Sequence, residues 1–273
     1  MIRYIDTHIH LDRLVEPELS LREAEQVGVV AWVVPGVTPE QWPQVMATGL
    51  LHKQVYLAPG IHPQAAGFFR KTHLDELRQL LSHEKAVAIG EVGLDRQVDA
   101  DWQKQKELFI EMIHLARETK KPLLIHARRS TEPILELLQT EGGDQVGGIF
   151  HAFSGSLETA RKIIDMGFLL GVGGVVTWQT ARRLPEVVRD VPAEALVLET
   201  DAPDMTPTPH RGQPNRPAYL DLVARRVAEL RSWGLAETAQ QTTLNACRAL
   251  GLPRPEALGK DKGTTNNESQ SSL

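Results

Sequence analysis

The segment Ile2-Arg3-Tyr4-Ile5-Asp6-Thr7-His8-Ile9-His10 begins as an apolar run and ends in two histidines that are two residues apart. Side chains two apart in a β-strand point to the same face, so an extended segment projects His8 and His10 together. Two imidazoles on one face can bind a metal ion. A His-x-His pair also occurs as surface or capped core histidines, so its interpretation depends on the rest of the chain.

The remainder of the chain alternates short apolar segments with amphipathic ones. Apolar segments typical of buried β-strands lie near residues 3–8, 29–34, 55–60, 85–91, 122–126, 147–151, 168–172 and 195–200. Strands that alternate with helices form parallel sheets, because each crossover helix returns the chain to the same edge. Eight such units in 273 residues match a closed barrel of roughly 250 residues. The sequence therefore predicts an α/β fold, a TIM (β/α)8 barrel in one domain, rather than a doubly wound sheet.

Helix-start signals stand where the barrel requires helices. Thr38 precedes a proline and lies three residues before Gln41, and Ser156 precedes another helical segment, as expected for helix N-caps. The last helix of the barrel is predicted near residues 217–231. A further helix near residues 236–250 is expected to pack on the outside of the barrel.

The interior of the chain contains neither a repeat of fixed period nor a low-complexity linker. Residues 1–258 are therefore predicted to form a single barrel domain. Residues 259–273 are polar and nearly free of apolar anchors, which is typical of a mobile C-terminal tail.

Composition narrows the class of protein. Hydrophobic residues make up 41% of the chain, charged residues 24%, and no apolar run approaches the length of a membrane span. Polar residues interrupt the N-terminal apolar run at once, so we expect a cytoplasmic protein without a secretory leader. Cys247 is the single cysteine, which excludes an intrachain disulfide and a thiolate metal cluster. The net charge of −5 argues against a broad, sequence-independent DNA-coating surface.

Potential metal ligands stand at the ends of most predicted strands, where a barrel builds its active site. Four imidazoles and two carboxylates belong to this set: His8, His10, Glu91, His126, His151 and Asp201. One tetrahedral ion cannot use so many ligands, whereas two ions that share a bridging carboxylate can. Two divalent cations against two carboxylates leave a net positive centre, which suits a phosphodiester or another anionic ester.

Six motifs in order along the chain resemble those of the TatD family of metal-dependent deoxyribonucleases. Asp204 together with Gly212-Gln213-Pro214-Asn215-Arg216-Pro217 looks most like its YjjV-type branch. The motifs are Asp6-Thr7-His8-Ile9-His10-Leu11-Asp12, Gly60-Ile61-His62-Pro63, Ile89-Gly90-Glu91-Val92-Gly93-Leu94-Asp95, Ile125-His126-Ala127-Arg128, Phe150-His151-Ala152-Phe153-Ser154-Gly155-Ser156 and Leu198-Glu199-Thr200-Asp201-Ala202-Pro203. The resemblance implies a TIM barrel of the amidohydrolase superfamily that hydrolyses nucleic-acid phosphodiesters, with 3′-to-5′ exonuclease action as one form of the activity. It also implies that one ion is held by His8, His10, Glu91 and Asp201. The second ion is then held by Glu91, His126 and His151, with Glu91 as the bridge.

Three further assignments concern substrate and catalysis. Asp201 is expected to orient water or receive its proton, with Glu91 as the second catalytic carboxylate. Arg128 is the candidate phosphate clamp, because a guanidinium matches phosphate oxygens, although it could instead pair with Asp95 or Glu91. His62 is a candidate for catalysis and substrate binding, with a structural turn histidine as the alternative.

Two positions depart from the family pattern and put substrate preference in doubt. Arg96 replaces a frequent tyrosine after Gly-Leu-Asp, and Arg216 replaces the glutamate of the usual Asn-Glu-Pro. Arg216 is accordingly a substrate-binding candidate.

The expected cofactors are two divalent metal ions per chain. Imidazole-rich sites favour zinc or manganese, and magnesium is an acceptable activator. The expected substrate is short or single-stranded DNA, and we expect a monomer without membrane association. Two alternatives stay open at this point: a metal-dependent hydrolase of a small amide, ester or lactone, and a non-catalytic metal-binding interaction protein.

Overall fold

The structure is a computed structural model that describes residues 2–255. In this range the chain forms eight strands: β1 (Tyr4–Asp6), β2 (Val29–Pro35), β3 (Val55–Ala58), β4 (Ile89–Asp95), β5 (Leu123–Arg128), β6 (Gly148–Phe150), β7 (Phe168–Val172) and β8 (Leu196–Leu198). The same residues form nine α-helices: α1 (Pro17–Gln26), α2 (Trp42–Leu51), α3 (Thr72–Leu81), α4 (Trp102–Thr119), α5 (Thr131–Thr140), α6 (Leu157–Asp165), α7 (Arg183–Asp190), α8 (Leu220–Arg231) and α9 (Leu235–Leu250). Each strand from β1 to β8 is followed by a helix, as the sequence predicts.

The strands pair in parallel and in chain order, β1 to β3 in one sheet and β4 to β8 in another. Backbone hydrogen bonds join the two sheets on both sides. At one seam the amides of Leu57 and Val87 donate to the carbonyls of Lys85 and Leu57, both at 2.8 Å. At the other seam, Thr7 N donates to Leu198 O at 3.0 Å. The ring is therefore closed, and the predicted single TIM barrel is confirmed.

Two strand boundaries differ from the prediction in a way that matters for the site. Strand β4 runs from Ile89 to Asp95, four residues later than expected, so Glu91 lies within the strand. Strand β1 ends at Asp6, so His8 and His10 follow it. The segment after β1 nevertheless stays extended, because Thr7 N donates to β8 and Ile9 N donates to Val33 O of β2 at 3.1 Å. The two histidines therefore still share a face.

The further helix predicted near residues 236–250 is α9, and it packs across the bottom of the barrel. Its side chains Ala246, Cys247 and Leu250 pack against apolar residues that the strands direct into the barrel. Asn245 donates to the carbonyls of Ala193 and Leu196, at the amino end of β8, both at 2.8 Å. Because the strands' inward side chains leave an apolar floor, a helix with an apolar face is needed to cover it.

The N-cap predicted at Ser156 is confirmed and carries a modest stability prediction. The Ser156 hydroxyl accepts a hydrogen bond from Thr159 N at 3.2 Å, at the start of α6. We expect Ser156→Ala to lower the free energy of unfolding by about 1 kcal/mol, since the helix loses this cap. Ser156→Asp keeps an acceptor and should stay within about 0.5 kcal/mol of the unchanged protein. Urea unfolding followed by circular dichroism distinguishes these results; equal stability of all three proteins would contradict the assignment.

No helix within residues 2–255 combines the length and the apolar character needed to cross a membrane. The predicted domain boundary at residue 258 and the predicted tail, residues 259–273, lie outside the described residues.

Candidate metal centre

The six proposed ligands come from five parts of the barrel and converge at the carboxyl ends of its strands. They are His8 and His10 after β1, Glu91 in β4, His126 in β5, His151 after β6 and Asp201 after β8. All are buried except His126, which is partly buried. Parallel strands present their carboxyl ends at one edge, so residues far apart in sequence meet there.

The first donor set surrounds a point between His8, His10, Glu91 and Asp201. Nε2 of His8 lies 3.4 Å from Glu91 Oε2 and 3.7 Å from Asp201 Oδ1, and Nε2 of His10 lies 3.8 and 3.5 Å from the same two oxygens. Ligands bound at about 2.1 Å in a tetrahedron are about 3.4 Å apart. Among the described residues, Nε2 of His8 is buried without a hydrogen-bond partner. These donors therefore fit a metal ion.

The second donor set shares Glu91 with the first. Glu91 Oε1 lies 2.6 Å from Nδ1 of His126 and 2.7 Å from Nε2 of His151, and these two nitrogens are 3.3 Å apart. Each Glu91 oxygen thus faces a different pair of imidazoles. A carboxylate placed in this way has the arrangement of a bridge between two ions.

Asp95 orients the His126 ring. Its Oδ2 lies 2.9 Å from His126 Nε2, while its Oδ1 accepts a hydrogen bond from Gln97 N at 2.7 Å. A ring that keeps its proton on Nε2 can offer the Nδ1 lone pair to a metal ion bound between it, Glu91 and His151. Carboxylates commonly hold metal-binding histidines in this manner. Asp95 is therefore engaged by His126 and forms no direct ion pair with Arg128. Burial would raise the pKa of Asp95, but His126, Gln97 and the charge of Arg128 together lower it.

Two further buried carboxylates, Asp6 and Glu199, lie behind the donors. Both belong to the sequence motifs, but no role is predicted for either from the sequence. Asp6 accepts hydrogen bonds from Thr200 N at 2.9 Å and from the Thr200 hydroxyl at 2.5 Å. Glu199 Oε1 accepts from Ala152 N at 2.5 Å and lies 3.8 Å from His151 Nδ1. Each stands two residues before a proposed ligand, a spacing that could have identified both. They connect the ligand-bearing segments to one another.

Burial is the largest influence on the pKa values of Asp6 and Glu199. It raises the pKa of Asp6 to about 7 and the pKa of Glu199 to about 8, although their hydrogen-bond donors act in the opposite direction. Gly171 makes room for the second of them, because a Cβ at that position would overlap the Glu199 carboxylate. The close approach of backbone to carboxylate thus requires glycine there.

The pKa values of the proposed ligands depend on their charged neighbours as well as on burial. Burial would raise the pKa of Glu91, but His151 and His126 outweigh it and hold that pKa well below the usual value. Burial would likewise raise the pKa of Asp201, and the neighbouring imidazoles, led by His10, lower it instead. Burial lowers the pKa of His8 to about 4. Burial would also lower the pKa of His10, His126 and His151, but nearby carboxylates, Glu91 among them, outweigh it and raise the pKa of all three, that of His151 to about 10. Since metal binds ionised carboxylates and neutral imidazoles, binding at these histidines releases protons.

The backbone is strained at two points of the site. Asp201 has φ of 57° and Ala152 has φ of 48°, both in the left-handed region that residues with a Cβ rarely occupy. Asp201 N donates to His8 O at 2.9 Å, and Ala152 N donates to Glu199. The surrounding hydrogen bonds therefore keep these residues in conformations that direct Asp201 and His151 into the site.

His62 stands at the wall of the site, after β3. Its Nδ1 accepts a hydrogen bond from Gln64 N at 3.1 Å, so this ring caps a 3-10 turn. Burial lowers the pKa of His62 to about 4, and the neutral ring then carries its proton on Nε2. This nitrogen lies 3.8 Å from Glu91 Oε1. His62 is therefore a turn histidine whose Nε2 faces the site without a hydrogen bond to Glu91.

An open cavity of about 1010 Å³ lies over the donors. Arg128 lines it and, in the described part of the chain, forms no ion pair with a carboxylate. The structure also places Arg13, Trp178 and Arg211 in its wall. No local pattern marked these three, because they come from loops after three different strands.

Arg216 and Arg96 are not among the residues that line this cavity. The Arg216 guanidinium bonds to Glu23 of α1 at 2.9 Å, and that of Arg96 stacks on the Trp102 ring at 4.0 Å. The geometry therefore does not support a substrate contact for Arg216, since its donors are directed toward a helix on the outside of the barrel.

Sequence comparison relates this chain to a family of metal-dependent hydrolases. Residues 5–251 match the sequence model of the family described as TatD related DNase. The chain is 40% identical over 249 residues to YabD of Bacillus subtilis, described as an uncharacterized metal-dependent hydrolase, with 89% of this chain and 97% of YabD covered.

Solved structures agree with the sequence match. The crystal structure of YjjV, a TatD homologue from Escherichia coli, superposes with a TM-score of 0.87 at 34% identity and covers 92% of this chain and 99% of its own. A TatD family hydrolase from Entamoeba histolytica shares the fold, with a TM-score of 0.79 at 20% identity, over 91% of this chain and 98% of its own. The chain belongs to the TatD family.

Proposed function

We propose that this protein is a metal-dependent phosphodiesterase that hydrolyses DNA, acting on short or single strands from the 3′ end. The observation that carries the proposal is the position of Glu91, whose two oxygens face two separate sets of donors beneath an open cavity. The name of the matching family, TatD related DNase, and the names of relatives as metal-dependent hydrolases support the same reaction class.

Two divalent ions fit the donor sets. His8, His10, Glu91 and Asp201 would hold one, and Glu91, His126 and His151 the other, with zinc or manganese favoured by the imidazoles and magnesium as an activator. When bound, such ions lower the pKa of water and neutralise charge on phosphoryl oxygens.

The chain's own residues supply positioning and proton transfer. Arg128, at the end of β5, offers its guanidinium to a phosphate oxygen, because it lines the cavity and forms no direct ion pair with a carboxylate of residues 2–255. His62 donates through Nε2 to a substrate oxygen, since Nδ1 is occupied by Gln64 N. The Asp201 carboxylate accepts the proton of the attacking water. Binding at this end of the barrel buries the reacting phosphate among these groups.

The decisive test follows a 5′-labelled single-stranded oligonucleotide on a denaturing gel. The protein is stripped of metal and reloaded separately with manganese, zinc or magnesium. We expect a ladder that shortens from the 3′ end with at least one metal, and a fall in rate of about a hundredfold or more in Asp201→Asn, which loses a ligand and a proton acceptor.

The outcomes separate the competing functions. Intact DNA with every metal, in protein shown to retain its ions, would contradict the nuclease proposal and favour a hydrolase of small esters or amides in the same barrel. Internal cuts in place of a ladder would retain the phosphodiesterase and overturn the exonuclease direction. Equal activity of Asp201→Asn would remove Asp201 from the mechanism.

A further inference from the structure

The connection between β8 and α8 is tied firmly to the barrel. Asn215 donates through its side-chain amide to the carbonyls of Thr200 and Asp204, both at 2.7 Å. On the opposite side, the Trp178 indole N–H donates to Thr206 O at 2.9 Å. Side chains that this connection presents to the cavity are therefore held in place before any substrate arrives.

Arg211 stands on this connection with its guanidinium carbon 4.3 Å from the centre of the Trp178 ring. A guanidinium is attracted to the face of an indole at this distance. Because the indole is itself tethered through Thr206, the contact restrains the position of the Arg211 head group.

The hydrogen-bonding capacity of Arg211 is unused. No carboxylate forms an ion pair with it among residues 2–255, and its side chain is exposed at the cavity wall. The nearby Arg13 differs, because Asp204 neutralises it at 2.6 Å. A contact with the face of an aromatic ring uses none of the five N–H donors of a guanidinium. The Arg211 guanidinium is therefore available to bind an anion through its N–H groups.

Three arginines therefore line the cavity, and two of them form no ion pair among residues 2–255: Arg128 at the end of β5 and Arg211 beside the ends of β7 and β8. A substrate with one phosphate needs only one guanidinium beside the metal donors. A strand with consecutive phosphates can engage both. The contact with Trp178 holds the Arg211 guanidinium at the cavity wall, where it can meet a second phosphate.

We infer that Trp178 and Arg211 form a subsite for the phosphate next to the one that is hydrolysed, so that the preferred substrate is an oligonucleotide rather than an isolated phosphodiester. The inference rests on the proposed function and deepens it. Arg211 binds the adjacent phosphate through its N–H groups, and Trp178 keeps the guanidinium oriented.

The test compares two substrates in the metal-loaded protein. Bis(p-nitrophenyl) phosphate carries one phosphate, and a short oligothymidylate carries several. For Arg211→Ala we expect KM for the oligothymidylate to rise about tenfold, with hydrolysis of the one-phosphate probe unchanged within about twofold. Arg211→Lys should recover part of the loss, because it retains the charge without the planar fork. Arg248→Ala is the matched control, since it removes the same charge at the bottom of the barrel, where Arg248 contacts Glu194 O.

Binding gives a readout that does not depend on turnover. Fluorescence anisotropy of a labelled oligothymidylate is measured at several salt concentrations, with Asp201→Asn introduced into every variant so that the strand stays intact. Loss of one phosphate contact should reduce the slope of log binding constant against log salt by about 0.7. Arg248→Ala should leave that slope unchanged.

Three results would overturn the subsite. They are an unchanged KM and salt slope in Arg211→Ala, an equal loss on both substrates, and an equal change of slope in Arg248→Ala. Failure of the proposed function looks different, because the unsubstituted protein then hydrolyses neither phosphodiester with any metal. In that case the anisotropy comparison still decides whether Arg211 binds a phosphate of the strand.

Discussion

Glu91→Gln is expected to reduce kcat/KM by about a thousandfold or more, which is the largest effect of any single substitution in the site. Glu91 is the residue whose two oxygens serve both donor sets, at 3.4 Å from His8 and at 2.6 and 2.7 Å from His126 and His151. An amide of the same shape has one oxygen and one NH2 group. One donor set therefore faces N–H groups in place of a lone pair, and the negative charge is lost from both.

Metal content and activity are measured together to test this prediction. After dialysis against trace metal, Glu91→Gln should retain clearly less zinc or manganese than the unsubstituted protein by mass spectrometry. Glu118→Gln is the matched control, because Glu118 lies on α4 and pairs with the exposed Arg78 at 2.8 Å. It should retain both metal and rate. A Glu91→Gln protein with full metal and full rate would remove Glu91 from the centre.

Asp6→Ala is expected to lower the free energy of unfolding by roughly 3–5 kcal/mol. Asp6 lies at the seam where β1 meets β8, and it accepts hydrogen bonds from Thr200 N, the Thr200 hydroxyl and, at 3.3 Å, His8 N. Alanine leaves these buried donors without an acceptor, and each such group costs about 1–3 kcal/mol. The same bonds position His8 and the segment that leads to Asp201, so metal affinity should fall about tenfold or more.

Chemical unfolding in the presence of a chelator measures the stability change without the contribution of metal. Thr200→Val removes the hydroxyl, which donates to Asp6 and accepts a 3.3 Å bond from Ala202 N, but it keeps the Thr200 N donor. It should cost less than Asp6→Ala and remains informative if Asp6→Ala does not fold. Asp204→Ala is the control, because its ion pair with Arg13 is exposed and worth about 1 kcal/mol or less. Equal stability of Asp6→Ala and Asp204→Ala would show that the seam does not depend on Asp6.

Local features of the sequence determined the barrel and its ligand candidates. The predicted strand at residues 168–172 coincides with β7, because a short apolar segment between helices has few alternatives. The paired histidines also follow a local rule, since His8 and His10 share a face wherever the chain stays extended. Strand β4 was misplaced because its apolar pattern weakens at Gly90 and Glu91, where the residues serve the site rather than the core.

Only the tertiary structure decided how distant segments meet. It placed α9 beneath the barrel, because the apolar floor that this helix covers is assembled from seven of the strands and from the residues that lead into β4. It directed Arg216 to Glu23 and Arg211 to Trp178, although both arginines lie in the same connection. Strand positions and ligand spacing depend on neighbours in the chain and can therefore be predicted from the sequence. The partners of a loop side chain depend on which other loops lie over the same opening, and that is determined only when the ring closes.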